Sequence, residues 1–183
     1  MIRSKFCLLA FLGITACGLN TENQSNYQNA PFFDLAGYIS TYVKDSTSHK
    51  VSKTIQVDTS VESKILDNYP IWKDIKDFDA YDINRPALYD KYSIDTTFSP
   101  SAYSIIYLPK EGTKDLKVTR LQIKVENGEV TSIQIKTSNN SFLDKVKMEI
   151  NWTPRRGYIL ERASDKIFRD ETELQTIEVS IIS

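Results

Sequence analysis

The chain has 183 residues with 23 basic and 24 acidic side chains, a near-neutral balance with no basic excess. Nucleic acid is thereby excluded as a partner, since a polyanion-binding domain gathers basic charge on one face and clusters such as Arg155-Arg156 stand alone, as solvated turns do. The single histidine and two cysteines exclude the common zinc sites and a disulfide framework.

The first element is an export signal. Arg3 and Lys5 precede the uncharged run Phe6 to Ile14, which is too short for a permanent span of about 20 residues. Ile14-Thr15-Ala16-Cys17 resembles a bacterial lipobox, in which an aliphatic residue and two small residues precede the cysteine that receives diacylglycerol. The resemblance implies a signal peptide over 1–16, a lipid on Cys17 and a membrane-anchored lipoprotein of the cell envelope. Gly18, where such proteins kept in the inner membrane carry Asp, implies the outer membrane. Several acyl chains, at about 0.8 kcal/mol per buried methylene, make such an anchor effectively permanent. Cleavage would remove Arg3, Lys5 and Cys7, leaving 21 basic residues against 24 acidic, a formal −3, with no cysteine pair to oxidise.

Residues 17–30 are polar, rich in Asn and Gln and aperiodic, which predicts a lipidated flexible tether. Residues 31–183 predict a single globular domain. Phe32, Leu35, Ala36, Ile39 and Val43 recur at spacings of three and four, giving an amphipathic helix over 31–45 with Pro31 in its first turn. Tyr38 and Tyr42 widen its apolar face. His49 follows in a polar loop. A shorter helix is expected over 70–78, with Ile71, Ile75 and Phe78 on one face.

The remaining periodicity is two, predicting strands near 50–57, 61–66, 89–98, 102–108, 116–125, 129–137, 145–152, 157–163 and 174–182. Asn84-Arg85-Pro86 predicts a turn into the third of them. Around Asn127-Gly128, a two-residue loop would put the apolar rows of the two strands on opposite faces. A three-residue loop from Glu126 to Gly128, with a bulge at Gly128, sets Leu121 opposite Ile133 and unites Leu121, Ile123, Val125, Ile133 and Ile135.

Short turns and alternating strands predict an α+β fold: an N-terminal amphipathic helix packed on a curved, mainly antiparallel sheet or open β-barrel. The element order is similar in topology to the half-barrels of bacterial lipoprotein carriers and insertases. Phe32 to Tyr38 and Asp82 to Ala87 resemble segments of a group of small, uncharacterised bacterial lipoproteins, which implies no activity.

No motif supplies a catalytic residue, a cofactor or a metal. His49 lacks a Gly-x-Ser-x-Gly partner, and no phosphate-binding glycine loop is present. Asp74, Asp77, Asp79 and Asp82 crowd one stretch without calcium-loop spacing. Tyr81, Tyr89, Tyr92, Phe98, Tyr103 and Tyr107 group in the middle third, either as cross-strand packing or as the wall of a groove. The sequence therefore predicts a non-enzymatic binding or structural protein, held to the membrane through Cys17 and taking a lipid, glycan or protein ligand. The alternative is a hydrolase of envelope polymers with two carboxylates about 5–9.5 Å apart.

Overall fold

The computed structural model describes residues 30–166 and 171–182. The predicted signal segment, Cys17 and the tether as far as residue 29 lie outside them.

The first helix is shorter than its periodicity suggested. α1 spans Leu35–Lys44, and Asp34, not Pro31, opens it by accepting the Gly37 amide at 2.8 Å. An N-cap of this kind satisfies one of the amides that a helix start leaves free. Phe32 therefore belongs to the lead-in segment, where it is buried. Leu35 and Ile39 are fully buried, and each contributes about 1.5–3 kcal/mol by leaving water.

A hairpin follows, β1 (His49–Val57) and β2 (Ser60–Tyr69). α2 (Ile71–Lys76) runs on into a 3-10 helix, Asp77–Tyr81, and Ile71, Ile75 and Phe78 are all buried as their shared face required. Arg85 leads into a further 3-10 turn, Pro86–Leu88, so the strand expected from 89 begins at Tyr92. The chain then meanders through β3 (Tyr92–Ser99), β4 (Ala102–Pro109), β5 (Val118–Glu126), β6 (Glu129–Asn140), β7 (Asp144–Thr153), β8 (Gly157–Lys166) and β9 (Thr172–Ile181).

All nine strands join one antiparallel sheet in the order β2-β1-β9-β8-β7-β6-β5-β4-β3. The sheet is not closed: β2 and β3 are its two edges. The segment holding α2 and the 3-10 helices carries the chain from one edge to the other, and β9 then pairs with β1. One face holds the core. Tyr158, Trp152, Ile133 and Ile123 lie side by side in register across four strands, beside a second row of Ile150, Ile135 and Leu121.

The Asn127-Gly128 turn corrects the expected loop. It is a two-residue turn, with Glu126 paired to Glu129 and positive φ at Asn127 (51°) and Gly128 (83°). Such a turn matches the twist of paired strands. The irregularity falls one step later, between the Lys124 and Val125 pairs, and brings Ile123 opposite Ile133 and Leu121 opposite Ile135. The five apolar residues do share the buried face. Inserting the extra residue on β6 restores the side-chain parity as effectively as a longer loop, but shifts the register by two in the other direction.

Candidate functional site

A cleft of ≈ 780 Å³ opens where the C-terminal half of α1 meets the β5–β6 and β7–β8 turns. That volume falls within the range of small-molecule sites. Its apolar wall comes from Tyr38, Tyr42 and Val130. Thr41, Ser46, Thr131 and Thr153 add hydroxyls, and Asp45, His49, Glu126, Glu129, Arg155 and Arg156 bring charge of both signs.

Trp152 sets the position of the two tyrosines. Its ring lies 5.7 Å from that of Tyr38 and 5.0 Å from that of Tyr42, the latter edge-on at 82°. The tryptophan itself is 1% exposed, so the tyrosines rest on a rigid floor and keep one flank in the cleft. The one-turn spacing on α1 that widened the apolar stripe is therefore also what lines the cavity. Burial raises the Tyr38 phenol above its ordinary range; Tyr42 and Glu129 push the same way and Arg155 opposes them. The phenol thus stays a neutral donor with both charge signs close by.

Turn geometry places the charges. Arg155 has φ 64°, which turns the chain between β7 and β8 and puts both arginines at the rim, exposed. Glu126 and Glu129 flank Asn127-Gly128 as a cross-strand pair. His49 is not the loop residue expected: it opens β1 opposite Tyr69 and is half-buried in the cleft wall. These rim groups can hold a polar ligand head while the tyrosines take its apolar part.

No protein family model, curated protein or solved structure matches the chain. The site must therefore be read from its own geometry.

That geometry separates the four crowded aspartates. Asp74 accepts the Tyr69 hydroxyl at 2.8 Å and the Tyr158 hydroxyl at 2.9 Å, while Lys53 Nζ donates to Tyr69 at 2.7 Å. This network fastens α2 to β1, β2 and β8. Burial, reinforced by Asp74, pushes the Tyr158 phenol far up and keeps it a donor. Asp82 is buried and accepts the Asn84 amide at 3.1 Å, and loss of hydration raises its carboxyl against that hydrogen bond. Asp77 and Asp79 are exposed on the 3-10 helix. None of the four lines the cleft.

The middle-third aromatics also divide. Tyr89, Tyr92 and Tyr107 pack edge-on around Phe32 at 5.8, 6.0 and 5.3 Å, and the Tyr107 hydroxyl accepts the Phe33 amide at 2.9 Å. They anchor the lead-in to α1. Tyr81 sits against Met148 and under Lys117. Phe98 and Tyr103 alone remain open, 76% and 39% exposed. The cleft uses none of these six; its aromatic wall is Tyr38 and Tyr42.

Proposed function

We propose that the chain is an envelope lipoprotein, cleaved before Cys17 and anchored there by lipid, most simply in the outer membrane, whose folded part binds a ligand without transforming it. The observation that carries the binding role is the ≈ 780 Å³ cleft with tyrosine walls and a rim of charges of both signs. An amphipathic molecule suits it, its apolar part on Tyr38 and Tyr42 and its charged or hydroxylated head against Arg155, Arg156 and Glu129. In this reading the open sheet is a shallow half-barrel with α1 laid across its core face, and the polar segment after Cys17 gives the cleft room to work beside the bilayer.

The four aspartates that suggested a hydrolase lie away from the cleft, so that alternative would have to use Asp45, Glu126 or Glu129, the carboxylates that line it. Native mass spectrometry of protein purified from the cell envelope tests the binding role. A co-purifying lipid or glycan lost in Tyr42→Ala and Arg155→Ala is the expected result. A ligand-free protein whose two variants behave as the parent does in every binding assay removes the proposal. Cys17→Ser tests the anchor separately, and retention on membranes with the signal cut would refute it.

A further inference from the structure

The two sheet edges are not alike. β2 carries Glu62, Lys64 and Asp67, ties them in pairs (Lys64 to Glu62 at 2.5 Å, Lys50 to Asp67 at 3.2 Å), and is distorted near its end by Asn68 at φ 54° and a register shift at His49. Charges and irregularities of this kind keep other strands away. Both edges show two exposed apolar side chains, Val61 and Ile65 on β2 and Ile94 (50%) and Phe98 (76%) on β3, but β3 has one charge, Asp95, and an unbroken register with β4.

The hydrogen-bond phase of β3 is fixed. The Lys110 amide donates to the Lys91 carbonyl at 2.8 Å, in the same register as the β3–β4 pairs. In an antiparallel ladder bonded pairs alternate, so residues 93, 95 and 97 bond to β4 while 94, 96 and 98 turn their N–H and C=O groups to the free edge. The free groups thus belong to the residues whose side chains share a face with the core, among them Ile94 and Phe98.

From this we infer that β3 pairs with β3 of a second copy, antiparallel about a two-fold axis at Thr96. In that register Thr96 meets Thr96 and Ile94 meets Phe98 on each side of the axis. All of these are residues with outward-facing groups, so about six backbone hydrogen bonds can form. The exposed apolar side chains become two cross-strand pairs on one face. Centring the axis on Asp95 would satisfy the same backbone groups but oppose two carboxylates across the axis, a repulsion that the Thr96 register avoids. The interface is isologous and joins two sheets into one. It rests on the edge strand alone and not on the ligand reading.

Thr96→Cys, made in the full chain and oxidised in the producing cells, tests it. Opposed Cα atoms of a bonded pair lie about 5.5 Å apart, within disulfide reach. A covalent dimer on a non-reducing gel, absent from the parent and from Ser93→Cys, is expected. Detergent-solubilised parent should also sediment at about twice the mass of Thr96→Pro, which removes only an outward-facing N–H and spares the ladder to β4. Thr96→Asp, which opposes two carboxylates at the axis, should likewise be monomeric, and circular dichroism confirms that either variant is folded. A parent monomeric at tens of micromolar, a dimer that survives both variants, or a β3 edge occupied by a different protein would each overturn the pairing.

Discussion

Gly157 opens β8 directly after the Arg155-Arg156 turn, where the rim of the cleft joins the sheet. Its φ is +137°, and a Cβ built on it would lie 1.9 Å from the Val179 carbonyl oxygen and 2.9 Å from the carbonyl carbon. Gly157→Ala therefore meets two penalties at once. The backbone conformation costs about 1–3 kcal/mol for a residue with a side chain. Relieving the overlap requires β9 to move away from β8, which costs about 1–3 kcal/mol more, as overpacking does elsewhere. The sum centres near ~4 kcal/mol, a large share of a domain's usual ~5–15 kcal/mol. With a urea dependence of about 2 kcal/mol per molar, the unfolding midpoint should fall by about 2 M. Gly112→Ala supplies the comparison, because Gly112 has φ +80° but nothing within 4 Å of its Cβ position. It should cost about 1 kcal/mol, or ~0.5 M. Midpoints for the two variants within ~0.3 M of each other would show that the contact with Val179 relaxes freely, and the reasoning would fail.

Trp152→Ala removes the floor beneath Tyr38, Tyr42 and Phe78 and should cost about 3–5 kcal/mol, read as a thermal shift together with loss of near-ultraviolet dichroism. Asp74→Ala leaves the buried Tyr158 hydroxyl without its acceptor and should cost about 2–3 kcal/mol. Adding Tyr158→Phe should recover part of that loss in a double-mutant cycle, and strictly additive costs would mean the two groups do not interact. Burial raises Tyr92 to about 12 from 10.0, and its hydroxyl donates to the Val118 carbonyl at 2.7 Å. Because the folded value is the higher, its contribution is complete below pH ~10 and is lost between ~10 and 12, at about 1.4 kcal/mol per pH unit. Urea titrations across that window, compared with Tyr92→Phe, should show a shallower decline in the variant.

Much of the domain was legible in the sequence because alternation marks which side chains must leave water. Leu121, Ile123, Val125, Ile133 and Ile135 declared their common face, and all five are buried. Ile71, Ile75 and Phe78 did the same at helical spacing. The turn between β5 and β6 marks where that reasoning ends: side-chain parity permits a register displaced by one residue in either direction, and only backbone twist chose the short turn with the later irregularity. α1 began late for a similar reason. Periodicity counted Phe32, but Phe32 is buried by Tyr89, Tyr92 and Tyr107, which arrive from elsewhere in the chain.

The cleft was not legible, because its parts come from α1, from the start of β1 and from two hairpin turns that meet only once the sheet is ordered. Tyr38 and Tyr42 carried the one available signal, a one-turn spacing on the helix flank, and spacing alone does not tell a wall from a core. The sequence by itself determined the alternating strands, the two main helices and the shared apolar face of the strands around Asn127-Gly128, since burial of apolar area acts residue by residue along the chain. The tertiary structure alone decided that β9 docks on β1, that α2 crosses between the edges, and that β3 has no strand beyond it among the described residues. Pairing partners distant in sequence depend on the closure of the whole sheet and leave no local pattern to read.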